Sequence, residues 1–188
     1  MVIVLLKSRV SRGKKNKMKK IYILTTGGTI EKSYDESDGS LFNRSTIIRE
    51  TIFRRLRLPY TEVEVISLMA KDSLDMVDQD REHIYNEIIK RSHDHIPIVV
   101  LHGTDTLEKT LRFCYQQNQG KIQTTVVFTG AMRPLGFDRS DADQNITEAL
   151  CAAHLLPPGF YLSFHGEIFK APHVSKNRQT RTFERSEE

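Results

Sequence analysis

The segment TTGGT at residues 25–29 carries groups that could attack a carbonyl or bind an anion. It follows the apolar run 21–24, which is typical of a buried strand. Its two glycines let the backbone turn sharply and direct N–H groups at a bound molecule, and Thr29 adds a hydroxyl beside them. The segment lacks the Lys-Ser/Thr of a P-loop and the third glycine of a dinucleotide fingerprint. Three interpretations are open: a phosphate cradle, a plain tight turn, or a loop that presents a nucleophile.

A second polar segment, HGTDT at residues 102–106, also follows an apolar run. Thr104 or Asp105 could cap the helix that comes next, because both side chains accept hydrogen bonds from backbone N–H groups. The same hydroxyl and carboxylate could instead act on a substrate, with the free N–H groups of the helix start available to an anion. The residues alone favour capping.

Other polar clusters have simpler structural explanations. Asp72 and Asp75 fit substrate binding or the shaping of a turn equally well. Asp141 and Asp143 have the residue types of a metal pair, but their place before an apolar helical pattern favours helix capping. The His-Asp-His segment 93–95 lacks partners at the spacing of a metal site, which favours a solvated turn. No metal site is predicted.

The elements that must position these groups alternate along the chain. Strand-like runs lie at 21–25, 62–67, 96–101, 123–129 and 160–164, with helical patterns at 46–56, 78–91, 105–117 and 143–155. This alternation predicts a doubly wound α/β fold, Rossmann- or flavodoxin-like, in which a mostly parallel sheet carries helices on both faces. Ligands bind at the carboxyl ends of the strands in such folds. The segments TTGGT, MAKDSLDM, HGTDT and GAMRP all follow strands and should converge there.

The charge of the chain is unevenly distributed. The 188 residues include 28 Lys or Arg and 24 Asp or Glu, but residues 1–20 hold eight of the basic residues and no acidic one. The remainder therefore has 20 basic against 24 acidic residues, which does not suit a nucleic-acid-binding domain. No run approaches the ~20 apolar residues of a membrane span, and the two cysteines are isolated. We expect a cytoplasmic protein: a basic, disordered extension at 1–17 and a single domain at 18–188 that ends in an extended arm.

The ordered set of motifs resembles the amino-terminal domain of the bacterial-type L-asparaginases, a family that includes glutaminase-asparaginases. The motifs are TGGTI (26–30), DSLDM (72–76), HGTDT (102–106), GAMRP (130–134) and HVSK (173–176). With the residues around them they span almost everything from 19 to 176. The resemblance implies an amidohydrolase that converts L-asparagine to L-aspartate and ammonia through a threonine nucleophile, with no metal or organic cofactor.

The resemblance implies a catalytic role for five residues. Thr29 matches the primary nucleophile, and Tyr34 is the candidate for the loop tyrosine that helps activate it and closes over the substrate. Thr104 matches a second threonine, and Asp105 matches the aspartate that grips the substrate α-amino group. Lys176 matches the lysine that partners the second threonine.

The same resemblance implies a set of substrate-binding residues, namely Gly28, Asp72, Ser73, Gly103 and Ala131. Ser73 matches the serine that binds the α-carboxylate of the substrate. Ala131 falls where a backbone carbonyl faces the substrate amide.

The sequence departs from the family pattern in three places. Leu74 stands where many members carry a glutamine, which implies a weaker grip on the substrate carboxylate and a higher KM. Tyr34 follows Thr29 by only five positions, on a short hinge. The chain ends soon after Lys176, as in short single-domain members, whereas typical members continue into a second α/β domain. We expect a homo-oligomer, since a missing second domain would leave apolar surface near the site.

Two other functions are open from the sequence. The chain could be a non-catalytic regulatory module that binds asparagine or aspartate, although a non-enzyme would not need Thr29, Thr104, Asp105 and Lys176 together. It could also be an ammonia-supplying component of a glutamyl-tRNA amidotransferase, a function that the basic extension would suit.

Overall fold

The computed structural model describes residues 18–34, 41–43, 56–135 and 137–186. Within these ranges the strands are β1 (Lys19–Thr25), β2 (Lys32–Tyr34), β3 (Leu41–Asn43), β4 (Thr61–Ser67), β5 (Ile98–Leu101), β6 (Thr125–Thr129), β7 (Gly159–Phe164), β8 (Glu167–Lys170), β9 (Ser175–Asn177) and β10 (Thr182–Glu184). The α-helices are α1 (Asp78–Ser92), α2 (Leu107–Asn118) and α3 (Ala142–Leu155). Single turns of 3₁₀ helix lie at Thr29–Glu31 and Ser73–Asp75.

One six-stranded sheet in the described residues runs in the order β4-β1-β5-β6-β7-β8. The first five strands are parallel, and β8 pairs antiparallel with β7. This topology confirms the predicted mostly parallel α/β fold. The helix predicted at 46–56 lies almost entirely outside the described residues. β9 and β10 form a separate antiparallel hairpin after the sheet, so the predicted C-terminal arm contains ordered strands.

Helices cover both faces of the sheet because successive strand residues point to opposite sides. Leu24 and Val100 belong to the buried cluster that includes residues of α1 and α2. Ile23 and Val99 belong to the cluster that includes residues of α3. The central strands are buried on both sides, as their continuous apolar runs indicate.

The register of the sheet brings four strand ends to one level. Thr25 at the end of β1 pairs with Ser67 of β4 on one side and with Leu101 of β5 on the other. Leu101 in turn pairs with Thr129, the last residue of β6. The four segments that follow these strands therefore start side by side along one edge.

The described residues can be searched for a membrane-spanning helix and for a metal site. None of these helices is long and apolar enough to cross a membrane. The described residues also include no group of three His, Cys, Asp or Glu side chains placed to hold a metal ion.

Candidate active site

Backbone hydrogen bonds connect the segments that follow β1, β4, β5 and β6, the four strands that end at the same level of the sheet. The backbone N–H and the hydroxyl of Thr26 both donate to the Leu101 carbonyl, at 3.1 and 3.0 Å. The Lys71 N–H donates to the Thr26 carbonyl at 3.1 Å, and the His102 N–H donates to the Thr129 carbonyl at 2.9 Å. The loops after these strands are thus connected along one edge of the sheet, and this connected surface is called the floor of the site.

Glycines allow the loops of this floor to approach at backbone distance. Gly28 has φ +88°, and a Cβ atom on it would lie 2.4 Å from the Cα of Gly103. A Cβ atom on Gly103 would in turn lie 2.6 Å from the Ser73 hydroxyl oxygen. Three of the predicted substrate-binding residues therefore meet, and a side chain at either glycine would separate their loops.

A Gly28→Ala substitution should lower the free energy of unfolding by about 3 kcal/mol or more, because it adds overpacking to the cost of a positive φ. The matched control is Gly120→Ala. Gly120 has φ +78°, but a Cβ atom on it would lie more than 4 Å from every heavy atom of the described residues outside its chain neighbours. The control should cost about 1–2 kcal/mol. Chemical denaturation of both variants measures the difference, and equal losses would contradict the close approach.

The hairpin β9–β10 delivers a lysine to the HGTDT segment. The Lys176 ammonium lies 2.8 Å from the Thr104 hydroxyl oxygen and 2.9 Å from Asp105 Oδ1. The lysine side chain is only 11% exposed, so these contacts offset the cost of burying its charge. Arg178 adds a second, more exposed cation 3.4 Å from the same Asp105 oxygen. The backbone N–H of Lys176 donates to the Glu108 carboxylate on α2, which anchors the hairpin.

Thr104 and Asp105 do not cap the following helix, although their residue types favoured that interpretation. α2 begins at Leu107, two residues later than predicted, and Thr106 occupies its N-cap position. Thr104 and Asp105 instead direct their side-chain oxygens at Lys176. The capping interpretation was wrong because the lysine supplies a charged partner from a distant part of the chain.

The two predicted residues after the first strand are described to different extents. Thr29 begins a 3₁₀ turn immediately after Gly28 and is half-buried, whereas Thr25 and Thr26 are fully buried. Tyr34 is the last residue of β2, and its side chain lies outside the described part of the structure. Thr29 therefore directly follows the glycine that approaches Gly103, and the roles of Thr29 and Tyr34 both stay predictions.

The turn at 73–75 presents a buried hydroxyl that has no hydrogen-bond partner among the described residues. This hydroxyl belongs to Ser73, which is 1% exposed. The Ser73 carbonyl accepts a hydrogen bond from the Thr106 hydroxyl at 2.7 Å, which fixes the turn against HGTDT. A buried hydroxyl without a partner lowers the stability of the fold. A ligand that forms a hydrogen bond with it removes this cost and is therefore bound more tightly.

Two residues beside Ser73 shape this turn. The Asp72 carboxylate accepts the Leu74 N–H at 3.1 Å, a contact that fits the turn-shaping alternative. Leu74 itself is 66% exposed and offers no polar atom in its side chain.

The fourth loop is held by side chains of α3 and the residue before it. Ala131 is fully buried, and the carbonyl of the preceding Gly130 accepts a hydrogen bond from the Asn145 amide at 3.0 Å. The Asp141 carboxylate accepts the N–H groups of Met132 and Arg133 at 2.9 and 3.0 Å. Asp141 does occupy the N-cap position of α3, but its carboxylate binds the preceding loop.

His102 is a buried structural residue that sequence reasoning assigned no role. Its Nδ1 lies 2.8 Å from the Gly103 carbonyl oxygen and its Nε2 lies 2.9 Å from the Thr110 hydroxyl. Burial lowers the pKa of the ring from 6.5 to about 4, against the opposing bond to Gly103 and with help from the charge of Arg81. The neutral ring donates from Nδ1 and accepts at Nε2, which holds HGTDT on α2.

The depressed pKa of His102 predicts acid sensitivity of the fold. The unfolded chain takes up this proton below pH 6.5, whereas the folded chain does so only near pH 4. The contribution of His102 to the free energy of unfolding is therefore present above pH 6.5 and decreases by about 3 kcal/mol as the pH falls to 4. Chemical denaturation across this range should show the decline in the parent chain and a shallower one in a His102→Asn variant. Equal slopes in the two proteins would refute the assignment.

Comparison with known proteins gives concordant matches in sequence and structure. The family model described as Asparaginase, N-terminal matches residues 20–186. L-asparaginase 1 of Escherichia coli K12 is 34% identical over 168 residues, which cover 84% of this chain and 47% of that protein. The structure of the thermostable L-asparaginase from Thermococcus kodakarensis superposes with a TM-score of 0.79 at 28% identity, covering 88% of this chain and 51% of the other. A glutamyl-tRNA(Gln) amidotransferase subunit of Thermoplasma volcanium is 28% identical over 141 residues, or 70% of this chain and 32% of that protein. The chain spans about half the length of the L-asparaginases of Escherichia coli and Thermococcus kodakarensis that it matches.

Proposed function

This chain belongs to the asparaginase N-terminal family, and on that premise we propose that it hydrolyses L-asparagine to L-aspartate and ammonia. The observation that carries the proposal is the Lys176 ammonium, 2.8 Å from the Thr104 hydroxyl and 2.9 Å from the Asp105 carboxylate. The cluster stands beside the loop that carries Thr29, because Gly28 touches Gly103. A nucleophile loop and a proton-transferring pair are the two parts that amide hydrolysis needs.

The proposed reaction proceeds through an ester on Thr29. The Thr29 oxygen bonds to the carboxamide carbon, and backbone N–H groups of the glycine turn stabilise the resulting oxyanion. The carbon–nitrogen bond then breaks, and the hydroxyl proton reaches the nitrogen through the Thr104–Lys176 pair, so that ammonia leaves. Water next splits the ester, which releases aspartate and returns the proton to Thr29. The proposed cycle uses protein groups and one molecule of water.

The binding groups suit an amino acid that carries a carboxylate and an ammonium group. In the proposed complex the Ser73 hydroxyl, which has no hydrogen-bond partner in the described ranges, donates to the substrate α-carboxylate, and the Asp105 carboxylate accepts from the α-ammonium. Asp105 keeps its contacts with Lys176 and Arg178, which balance its charge before substrate arrives. Leu74 adds no hydrogen bond, so we propose a higher KM than in relatives with a polar residue there.

Ammonia release from L-asparagine by the purified full chain tests this function directly. A coupled assay for ammonium, run in parallel with L-glutamine, gives the activity and the amide preference. Binding of L-asparagine by calorimetry with no release of ammonia would overturn the proposal in favour of the regulatory module.

The similarity to the glutamyl-tRNA(Gln) amidotransferase of Thermoplasma volcanium supports a second candidate function, the supply of ammonia to a glutamyl-tRNA partner. This function predicts that transfer RNA co-purifies with the chain and that deletion of residues 1–17 abolishes the association. Ammonia release that is independent of RNA, in the full and the shortened chain alike, would favour the free hydrolase.

We also propose that the protein is a cytoplasmic homo-oligomer. Cys114 and Cys151 are both free thiols, which suits a reducing compartment. Leu155 is 81% exposed at the end of α3 and offers apolar surface for association. Light scattering at assay concentration should give a mass above the 21.7 kDa of one chain, and a monomer would contradict the oligomer.

A further inference from the structure

His165 connects two segments of the candidate site, the loop that contains Ala131 and the hairpin that carries Lys176. It occupies the turn between β7 and β8. Its Nε2 lies 2.9 Å from Asp141 Oδ2, and its Nδ1 lies 3.1 Å from the Thr182 hydroxyl oxygen. Its backbone N–H donates to the Asn145 side-chain oxygen at 3.1 Å. We call the set Asp141, His165 and Thr182 the histidine bridge.

One end of the histidine bridge holds the loop of Ala131. The same Asp141 carboxylate accepts the N–H groups of Met132 and Arg133. Burial opposes the ionisation of Asp141, but these N–H donors and the His165 ring outweigh it and lower the pKa of the carboxyl. The carboxylate therefore holds the loop on one side and the ring on the other.

The other end holds the hairpin that carries Lys176. Thr182 pairs with Asn177 across the hairpin, and its neighbour Phe183 pairs with Lys176. Phe183 is also packed edge-on against Phe164, with ring centroids 4.9 Å apart. A displacement of Thr182 is thus transmitted through one hairpin pair to the backbone of Lys176.

The chemistry of an imidazole ring suits this position between a carboxylate and a hydroxyl. A carboxylate only accepts, so Nε2 carries a proton, and Nδ1 is left to pair with the Thr182 hydroxyl. The ring is packed against Phe164 at a centroid distance of 4.3 Å, which limits its rotation. Both hydrogen bonds therefore require one orientation of the ring.

We infer that His165 is a positioning residue that fixes the Ala131 loop and the Lys176 hairpin relative to each other through Asp141 and Thr182. The inference rests on the proposed function for what the two segments do, namely to face the substrate amide and to move a proton through Thr104. The polar partners of His165 in the described part of the structure are Asn145, Thr182 and Asp141, and they do not include Lys176 or Thr104. Its loss should misplace the reacting groups while Ser73 and Asp105 still bind substrate.

Kinetic variants test the bridge in the full chain. His165→Ala should lower kcat by about 10-fold and change KM less than twofold, since small misplacements of reacting groups are costly. Thr182→Val, which leaves Asp141 untouched, should lower kcat similarly, and the double variant should be no worse than His165→Ala. Independent, multiplying losses would overturn the bridge, as would a parent-like Thr182→Val. Matched controls are His93→Ala and Thr180→Val, both at exposed positions.

Conservative substitutions separate the two contacts of the ring. His165→Gln places an amide nitrogen near the position of Nε2 and should keep the Asp141 bond alone. His165→Asn places its amide near the position of Nδ1, should keep the Thr182 bond alone, and tolerates the positive φ of 49°. Each should recover only part of the lost kcat. Full recovery by either variant would mean that one contact suffices and would overturn the bridge.

Amide hydrogen exchange separates this inference from the proposed function. In His165→Ala, exchange should accelerate by about fivefold both at Met132 and Arg133 and at the paired N–H groups of β9–β10. A response confined to one segment would overturn the bridge, whether or not the parent releases ammonia. A parent that releases no ammonia but shows acceleration at both segments would refute the hydrolase and leave the structural bridge standing.

Discussion

A Thr29→Ala variant should lose ammonia release by on the order of 10⁴-fold or more while it keeps the fold of the parent chain. Thr29 directly follows Gly28, whose backbone touches Gly103 on the loop that carries Thr104. Alanine keeps the Cβ atom, and thus the shape of the 3₁₀ turn, but removes the side-chain oxygen that is proposed to form the ester. The loss should therefore fall on kcat.

The control for this prediction is Thr29→Ser, which retains the hydroxyl. It should keep a substantial part of the parent activity, since the reacting oxygen stays in place and only a methyl group is lost. Thermal unfolding of both variants should match the parent within a few degrees. A Thr29→Ala variant with parental kcat would refute the nucleophile assignment, and the second threonine would then be the one to test.

Replacing Lys176 by methionine should lower kcat by about 10²–10⁴-fold, the range expected for loss of a positioned proton-transfer group. Methionine fills a similar volume but cannot donate to the Thr104 hydroxyl or the Asp105 carboxylate. Removing one partner of a largely buried ion pair also lowers stability, because the carboxylate keeps only the longer contact with Arg178. Steady-state kinetics and thermal unfolding together measure both effects.

Two controls distinguish chemistry from a general loss of charge. Lys170→Met removes a lysine from an exposed position of β8 and should leave kcat within about twofold of the parent. Arg178→Met removes the exposed cation from Asp105 and should change kcat much less than Lys176→Met, since Lys176 still neutralises the carboxylate. An Arg178→Met variant as impaired as Lys176→Met would indicate that net charge matters and proton transfer does not.

Local pattern was sufficient to predict the five parallel strands and the three α-helices of the described residues, but not the shorter strands β2, β3, β8, β9 and β10. α1 and α3 begin or end within one residue of the ranges that apolar periodicity indicated, and β7 differs only by the inclusion of Gly159. Periodicity works here because each helix covers one face of a sheet whose strands are buried on both sides. The rest depends on contacts between distant parts of the chain.

The details of the candidate site show what local pattern cannot contain. The strands β1, β4, β5 and β6 end at the same level because of the register in which they pair. The amino-acid composition of a strand does not determine this register. Thr104 and Asp105 have the residue types of helix caps. Only the position of Lys176, 72 and 71 residues away from them, brings them into a charged cluster. His165 occupies a turn and gives no local signal of the bridge that it forms. Motif resemblance, not periodicity, identified the lysine.

The hairpin that carries Lys176 has a consequence for biosynthesis. Thr29 leaves the ribosome early, whereas Lys176 emerges only after all six strands of the main sheet. In the proposed mechanism, a chain that ends between β8 and β9 would therefore lack its proton-transfer group and should release no ammonia, and it would also lose Phe183 from the buried core.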